Sequence, residues 1–142
     1  MTVSKAYHCA YTIHYHIVFP VKYHKALLNE EVTKYIKEIA QEIESRYFME
    51  LEKIGCDTNH IHLLCGADPK YAPGALVRVF KSVTAKKVFK QFPTIKKELW
   101  GGEFWSDGYY VATVGEAGNW KVVEAYVQNQ GTTPETVQLR LL

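Results

Sequence analysis

The sequence predicts an α+β fold in which helices pack on one face of an antiparallel sheet. Three patterns lead to this prediction. Residues 10–19 alternate apolar and polar side chains, residues 30–47 repeat apolar side chains at helical spacing, and residues 48–66 form two short segments around a polar turn. A period of two is typical of half-buried strands, and a period of 3.6 is typical of amphipathic helices. Because 142 residues can bury a core in one unit, we expect a single domain spanning residues 1–142.

The first predicted strand is Ala10–Phe19, and the first predicted helix follows a loop. Asn29 is a suitable N-cap, and Glu30 and Glu31 would place carboxylates at the positive end of the helix dipole. Apolar residues then keep helical spacing without interruption as far as Tyr47. We therefore expect a strand followed by one long amphipathic helix.

A hairpin and a second helix come next. Phe48–Cys56 and His60–Gly66 are predicted strands, and the polar residues between them suit a tight turn. Pro73 is well placed at a helix start, and helical character continues to about Phe92. Apolar side chains change face halfway along this helix. It therefore either bends or packs its second half against something else, such as another subunit.

The last predicted elements are a strand over Phe104–Val114 and a helix over Asn119–Asn129, with Gly115 and Gly118 at the helix entry. The order is then β-α-β-β-α-β-α. Such an order is typical of a ferredoxin-like, RRM-like sheet that carries its helices on one face.

Composition narrows the class of protein. Apolar residues make up 47% and charged residues 23% of the chain, which is the balance of a globular protein rather than a disordered one. The three cysteines are scattered without a Cys-x-x-Cys pair, so we expect neither a disulfide framework nor a zinc knuckle. The sequence shows no signal peptide and no apolar run of membrane-spanning length, which predicts a cytoplasmic protein without a membrane partner.

Positive charge is concentrated in one segment. The net charge is only +2, yet residues 78–97 contain seven basic residues and no acidic one. Clustered cations bind phosphates through their position rather than their sum. A solvated helix face is an equally good explanation of this segment.

Two histidine pairs have the spacing of a shared metal site. His60 and His62 lie two residues apart in a predicted strand, so both imidazoles point to the same side and could bind one cation. His14 and His16 have the same spacing, so spacing alone cannot choose between the pairs. Position favours His60 and His62, because they begin a strand directly after a turn, where an open coordination site could meet substrate.

The final predicted helix contributes a second pair. Tyr126 and Gln130 are separated by four residues and therefore share one helix face. With the histidines, Gln130 could complete a three-ligand site, and Tyr126 would lie within reach as a nucleophile. Each pair alone is weak evidence for a catalytic site. For Tyr126 the reason is that the chain has 10 tyrosines.

Several blocks of the sequence, in order, resemble one known family, the IS200-like (IS200/IS605) single-tyrosine transposases of the HUH endonuclease superfamily. The resemblance covers nearly the whole chain. The blocks are Tyr15–Phe19 with Lys22 and Tyr23, Asn59–Leu64, Lys81–Lys87, Phe104–Gly115 and Tyr126–Gln130. The sequence departs from the family pattern at residues 23–25, at Asn59, where an aspartate is common, and at Asp107.

The resemblance implies that His60, His62 and Gln130 bind a divalent metal, for which we expect Mg²⁺ or Mn²⁺, and that Tyr126 is the nucleophile. His16 matches a family position that is not a metal ligand. Similar proteins cut and rejoin single-stranded DNA, recognise hairpins near the ends of their element, and act as dimers whose tyrosine helix can complete the partner's site. Expected DNA contacts are Lys22, Arg78, Lys81, Lys86 and Lys87.

Two other functions remain open at this point. A ferredoxin-like sheet with exposed aromatic residues can bind single-stranded RNA or DNA by stacking without catalysis. A related HUH endonuclease of repeat-hairpin processing or replication initiation would share the chemistry but not the biological role. Metal dependence would discriminate the first alternative, and flanking hairpins in the genome the second.

Overall fold

The structure is a computed structural model that describes residues 3–6, 9–47 and 49–114. Within this part of the chain, six strands form two antiparallel sheets. A small sheet pairs β1 (Ser4–Ala6) with β2 (Cys9–Tyr11). The main sheet has the order β4-β5-β3-β6 and is built from β3 (His14–Pro20), β4 (Met49–Cys56), β5 (His60–Ala67) and β6 (Tyr110–Thr113).

Three helices accompany the sheets in the described residues: α1 (Glu30–Arg46), α2 (Pro73–Gln91) and α3 (Pro93–Glu98). A short 3₁₀ turn, Lys22–His24, follows β3. The first and third strands of the main sheet are central, as in a ferredoxin-like fold. The predicted α+β class is confirmed, and no described helix is long and apolar enough to cross a membrane.

Helix α1 begins where its sequence predicts. The side chain of Asn29 accepts a hydrogen bond of 2.9 Å from the backbone N–H of Val32, which satisfies one of the N–H groups left open at a helix start. The apolar face of α1 packs, together with α2, against one face of the main sheet. The core there comprises Ile17, Phe19, Ile36, Ile39, Ile43, Ile61, Leu63 and Phe80.

The other face of the sheet is also buried at its central strand β5. All eight residues of β5 are buried, including His62 and Leu64, which point away from the helical layer. The helices therefore pack on one face as predicted, but burial extends to both faces of the central strand. The alternation of apolar and polar residues did not predict this second buried layer.

Two strand predictions were too long. The predicted strand Ala10–Phe19 is interrupted at Thr12 and Ile13, because β2 leaves the main sheet to pair with β1. The predicted strand Phe104–Val114 is regular only over β6. Its first half makes one isolated bridge, Val21 to Trp105, and then turns at Gly108, where φ is +83°. Glycine adopts this left-handed conformation without steric cost.

The second predicted helix continues through its change of apolar face. Helix α2 extends to Gln91, and its buried residues include Phe80 and Val88. Phe89, from its second half, contacts the ring of Phe104 edge-on, with ring centres 6.0 Å apart. The second apolar face is thus covered by another segment of the same chain. The short helix α3 after Pro93 was not predicted, and the predicted helix Asn119–Asn129 lies outside the described residues.

Candidate active site

Strand β5 places His60 and His62 side by side. Their ring centres are 5.4 Å apart, and Ile61 between them points into the opposite layer, where it belongs to the core. This is the arrangement that strand geometry predicts for residues two apart. The two imidazoles are therefore close enough to act on one ligand.

His60 is held by its neighbour in the turn. Its Nδ1 lies 2.6 Å from the side-chain oxygen of Asn59. Because an amide oxygen only accepts, Nδ1–H donates, and the lone pair of the neutral ring is on Nε2. Burial lowers the pKa of His60, against an opposing effect of the Asp57 carboxylate. The neutral form, which is the form that binds metals, is thereby favoured.

His62 is held by a third histidine that the sequence pattern did not connect with it. Its Nδ1 lies 2.8 Å from Nε2 of His16, and the two rings lie edge to edge, with centres 5.0 Å and planes 22° apart. His16 pairs across the strands with Leu64, two residues beyond His62, so the two histidines are diagonal neighbours on one face. Only the register of β3 against β5 reveals this contact.

The histidine pair fits a divalent cation but does not complete a site. Metal–imidazole bonds are about 2.1 Å long, so rings with centres 5.4 Å apart can share one ion. In the described part of the chain, no group of three His, Cys, Asp or Glu side chains could hold a metal. A further donor is needed. Gln130, the predicted third ligand, and Tyr126, the predicted nucleophile, both lie outside the described residues.

The pair is less open than its place at the start of a strand suggested. His60 is 5% exposed and His62 is 0% exposed, because β5 is an inner strand enclosed on both faces. The position of the pair directly after a turn predicts an open coordination site at the sheet rim. Burial instead shields the imidazoles from bulk water, and charges interact more strongly in such surroundings.

A second group of motif residues joins α2 to the segment after α3; we call Lys81, Thr84 and Trp105 the lock. The indole N–H of Trp105 donates to Thr84 Oγ1 at 2.9 Å, and the Thr84 hydroxyl donates to the carbonyl of Phe80 at 2.7 Å. Trp105 is 4% exposed and contacts Phe19 edge-on. The sequence motifs gave no sign that these blocks meet each other.

Lys81 completes the lock. Its ammonium donates to the carbonyls of Ser106 and Gly108, both at 2.7 Å, and lies 5.1 Å from the centre of the Phe19 ring. Partial burial lowers the pKa of Lys81, while Asp107 and Glu103 act in the opposite direction. The ammonium therefore holds the irregular segment before β6 in place.

The five predicted DNA contacts have different surroundings. The Lys22 ammonium pairs with Glu103 at 2.9 Å, and that of Lys87 pairs with Glu42 at 2.9 Å. Lys81 is engaged in the lock, whereas Arg78 and Lys86 are exposed. A role in DNA binding stays a prediction for all five, and it is simplest for the two exposed side chains.

An exposed aromatic pair was also missed by the sequence patterns. Tyr23 is 51% exposed and Trp100 is 83% exposed, and their rings stack with centres 6.3 Å apart. Tyr23 has a left-handed backbone, with φ at +60°. Non-glycine residues seldom adopt this conformation, and their occurrence is enriched at functional sites.

The sequence is similar to those of known transposases. It is 31% identical over 120 residues to the ISDra2 transposase TnpA of Deinococcus radiodurans, spanning 84% of this chain and 85% of that protein. It is 28% identical over 123 residues to the transposase for insertion sequence element IS200 of Salmonella typhimurium, spanning 87% of this chain and 80% of the relative.

Solved structures agree with the fold. A protein of Deinococcus radiodurans R1, described as a transposase, superimposes with a TM-score of 0.73 at 30% identity and covers 90% of this chain and 98% of its own. A REP-associated tyrosine transposase bound to a REP hairpin superimposes with a TM-score of 0.63, covering 96% of this chain and 74% of its own. At 7% identity, the second likeness shows the fold alone.

The family model described as Transposase IS200 like matches residues 9–130, and the chain therefore belongs to the IS200-like transposase family.

Proposed function

We propose that this transposase cleaves and rejoins single-stranded DNA at the ends of an insertion sequence, with Tyr126 as the nucleophile. The observation that carries the proposal is the buried pair His60 and His62, whose rings share one face of β5. Imidazoles in their neutral form are suited to bind a metal that acts on a phosphate. Residues 1–142 would act as one catalytic domain.

The chemistry follows from a phenol attacking a phosphodiester. The phenolic oxygen of Tyr126 forms a bond to phosphorus, and the bond from phosphorus to the 3′ oxygen breaks. Tyr126 loses its proton, and the released oxygen gains one as a 3′ hydroxyl. The 5′ side of the DNA remains on the protein as a phosphotyrosine. A second 3′ hydroxyl can then reverse the reaction without ATP, because the phosphodiester bond energy is retained.

His60, His62 and Gln130 are the proposed ligands of Mg²⁺ or Mn²⁺. Bound there, the cation would supply Lewis-acid polarisation of a phosphoryl oxygen and stabilise charge in the transition state. Asn59 contributes by accepting the Nδ1–H of His60, which leaves the lone pair on Nε2. This hydrogen bond favours the His60 tautomer that can bind a metal through Nε2.

Substrate recognition and assembly follow the family. We propose that the chain binds hairpins near the element ends and acts as a homodimer, with Tyr126 serving either its own site or that of its partner. Arg78 and Lys86 are the exposed cations best suited to contact phosphates, followed by Lys22, Lys81 and Lys87, which already have protein partners.

The test is an adduct assay with labelled single-stranded element ends. We expect a covalent protein–DNA product with Mn²⁺ or Mg²⁺, and its loss in EDTA. Tyr126→Phe removes only the phenolic oxygen and should abolish the product, while Tyr109→Phe, at a tyrosine of the described surface, should retain it. A product that survives Tyr126→Phe would refute the nucleophile. Equal yields of the adduct in EDTA and in Mn²⁺ would refute the metal dependence of the reaction.

One observation favours a second candidate, a non-catalytic module that binds single strands. The exposed stack of Tyr23 and Trp100 offers faces on which bases could stack. Binding would then be independent of metal, and replacing both His60 and His62 by alanine would leave it intact. Under the main proposal the same double variant can still bind DNA but no longer forms the adduct.

A further inference from the structure

We propose that His16 is a positioning residue that orients His62 for metal binding; this rests on the proposed metal role of His62. The observation is the hydrogen bond between Nε2 of His16 and Nδ1 of His62, 2.8 Å long and buried. His16 is 1% exposed and His62 is 0% exposed. The contact therefore lies inside the molecule, next to the candidate site.

The direction of this hydrogen bond decides what His62 can do. If Nε2–H of His16 donates, the neutral His62 ring carries its proton on Nε2 and has no lone pair there. If Nδ1–H of His62 donates, the lone pair is on Nε2. Each arrangement makes one hydrogen bond. Only the second leaves His62 in the tautomer that binds a cation through Nε2, so metal binding and acceptance by His16 require each other.

The placement of His62 supports this direction. Its neighbour His60 donates Nδ1–H to Asn59 and would bind through Nε2, and acceptance by His16 would give His62 the same tautomer. The rings of His16 and His62 are close to coplanar, with planes 22° apart, as an in-plane hydrogen bond requires, and Tyr110 contacts His16 edge-on. This nearly coplanar hydrogen bond restricts the orientation of the His62 ring. Partners of this kind typically set metal affinity by about 10- to 100-fold.

The test measures Mn²⁺ affinity directly, by calorimetry or electron paramagnetic resonance, in protein without DNA. His16→Phe keeps an aromatic ring but has no acceptor, and we expect affinity to fall about 10- to 100-fold. His16→Gln can place its side-chain oxygen where Nε2 was and should restore most of that loss. The matched control is His14→Phe, on the same strand two residues earlier, where the native imidazole contacts Glu52 at 2.8 Å.

The outcomes separate this inference from the proposed function. If His62→Ala does not weaken Mn²⁺ binding, the proposed metal role of His62 is wrong. If His62→Ala abolishes binding but His16→Phe binds like the wild type, only the role of His16 is wrong. A merely structural His16 would change the free energy of unfolding in EDTA without changing the affinity of the folded protein.

A spectroscopic measurement needs no variant. In Zn²⁺-loaded wild-type protein with ¹⁵N-labelled histidine, we expect the shared proton on Nδ1 of His62. A proton bound to Nε2 of His16 would overturn the proposal. This readout decides the question even if His16→Phe does not fold.

Discussion

The histidine group, which we define as His16, His60 and His62, and the lock lie in the same fold but use their polar atoms differently. In the histidine group, Nδ1 of His60 and of His62 bond to protein, and the other nitrogen of each ring is the one proposed to bind metal. In the lock, Trp105 donates its indole N–H to Thr84, and Lys81 donates to two backbone carbonyls. One region is proposed to bind a ligand, and the other holds separate segments of the chain together.

This difference shows what a sequence motif can and cannot mean. Both regions belong to blocks that carry the family resemblance, and both contain residues predicted to have a functional role. In the structure, Lys81 donates to two carbonyls before β6, and its contact with DNA stays a prediction. A charged residue within a motif can therefore have a structural contact as well as a predicted functional role. The contacts of a side chain, rather than its place in a motif, distinguish a structural role from a ligand-binding role.

The largest expected effect is on the histidine group. His60→Ala or His62→Ala should lower the rate of DNA cleavage by roughly a thousandfold or more, because the metal's stabilisation of the transition state is worth several kcal/mol. The measurement is single-turnover adduct formation in Mn²⁺. His14→Ala serves as the control and should cleave normally. Retained cleavage in the His60 and His62 variants would remove the distinction between the two regions.

The next effect is on stability and concerns the lock. Trp105→Ala removes a buried ring and its hydrogen bond to Thr84, so we expect the free energy of unfolding to fall by about 3–5 kcal/mol. Urea denaturation measures this. Trp100→Ala, at a tryptophan that is 83% exposed, is the control and should cost less than about 0.5 kcal/mol. Similar losses in both variants would contradict the assignment.

Lys81→Met tests whether a lysine of the basic segment belongs to the lock. Loss of two charge-assisted hydrogen bonds should lower the free energy of unfolding by about 1–2 kcal/mol, less than for a fully buried ammonium because Lys81 is partly exposed. Lys86→Met, on the exposed side of α2, should leave stability unchanged. If Lys81→Met instead weakened binding to single-stranded DNA at unchanged stability, Lys81 would be a DNA contact.

The smallest effect concerns the turn beside the metal ligands. Asn59→Ala removes the acceptor for Nδ1–H of His60, and we expect Mn²⁺ affinity to fall by about tenfold, at the low end for such partners. Asn59→Asp keeps an acceptor and adds charge, so affinity should equal or exceed that of the wild type. Equal affinity in the alanine variant would mean that the orientation of His60 is set by packing alone.

Local patterns predicted much of the fold. The Asn29 cap, the length of α1 and the hairpin of β4 and β5 all agree with the sequence prediction. Each depends on residues close in the chain, through capping, helical period or turn chemistry. The shared side of His60 and His62 is equally local, because it follows from the period of a strand.

Contacts distant in the chain were decided only by tertiary structure. Pairing of β2 with β1 interrupts the first predicted strand. In the last predicted strand, Phe104–Val114, the first half is irregular and is held by contacts of the lock. Histidine spacing gave two equal pairs, and the register of β3 against β5 then joined His16 to His62. Sequence alone thus determined which side chains share a face of one element. The pairing of separate elements determined which of them meet, because register and packing depend on residues that are far apart in the chain.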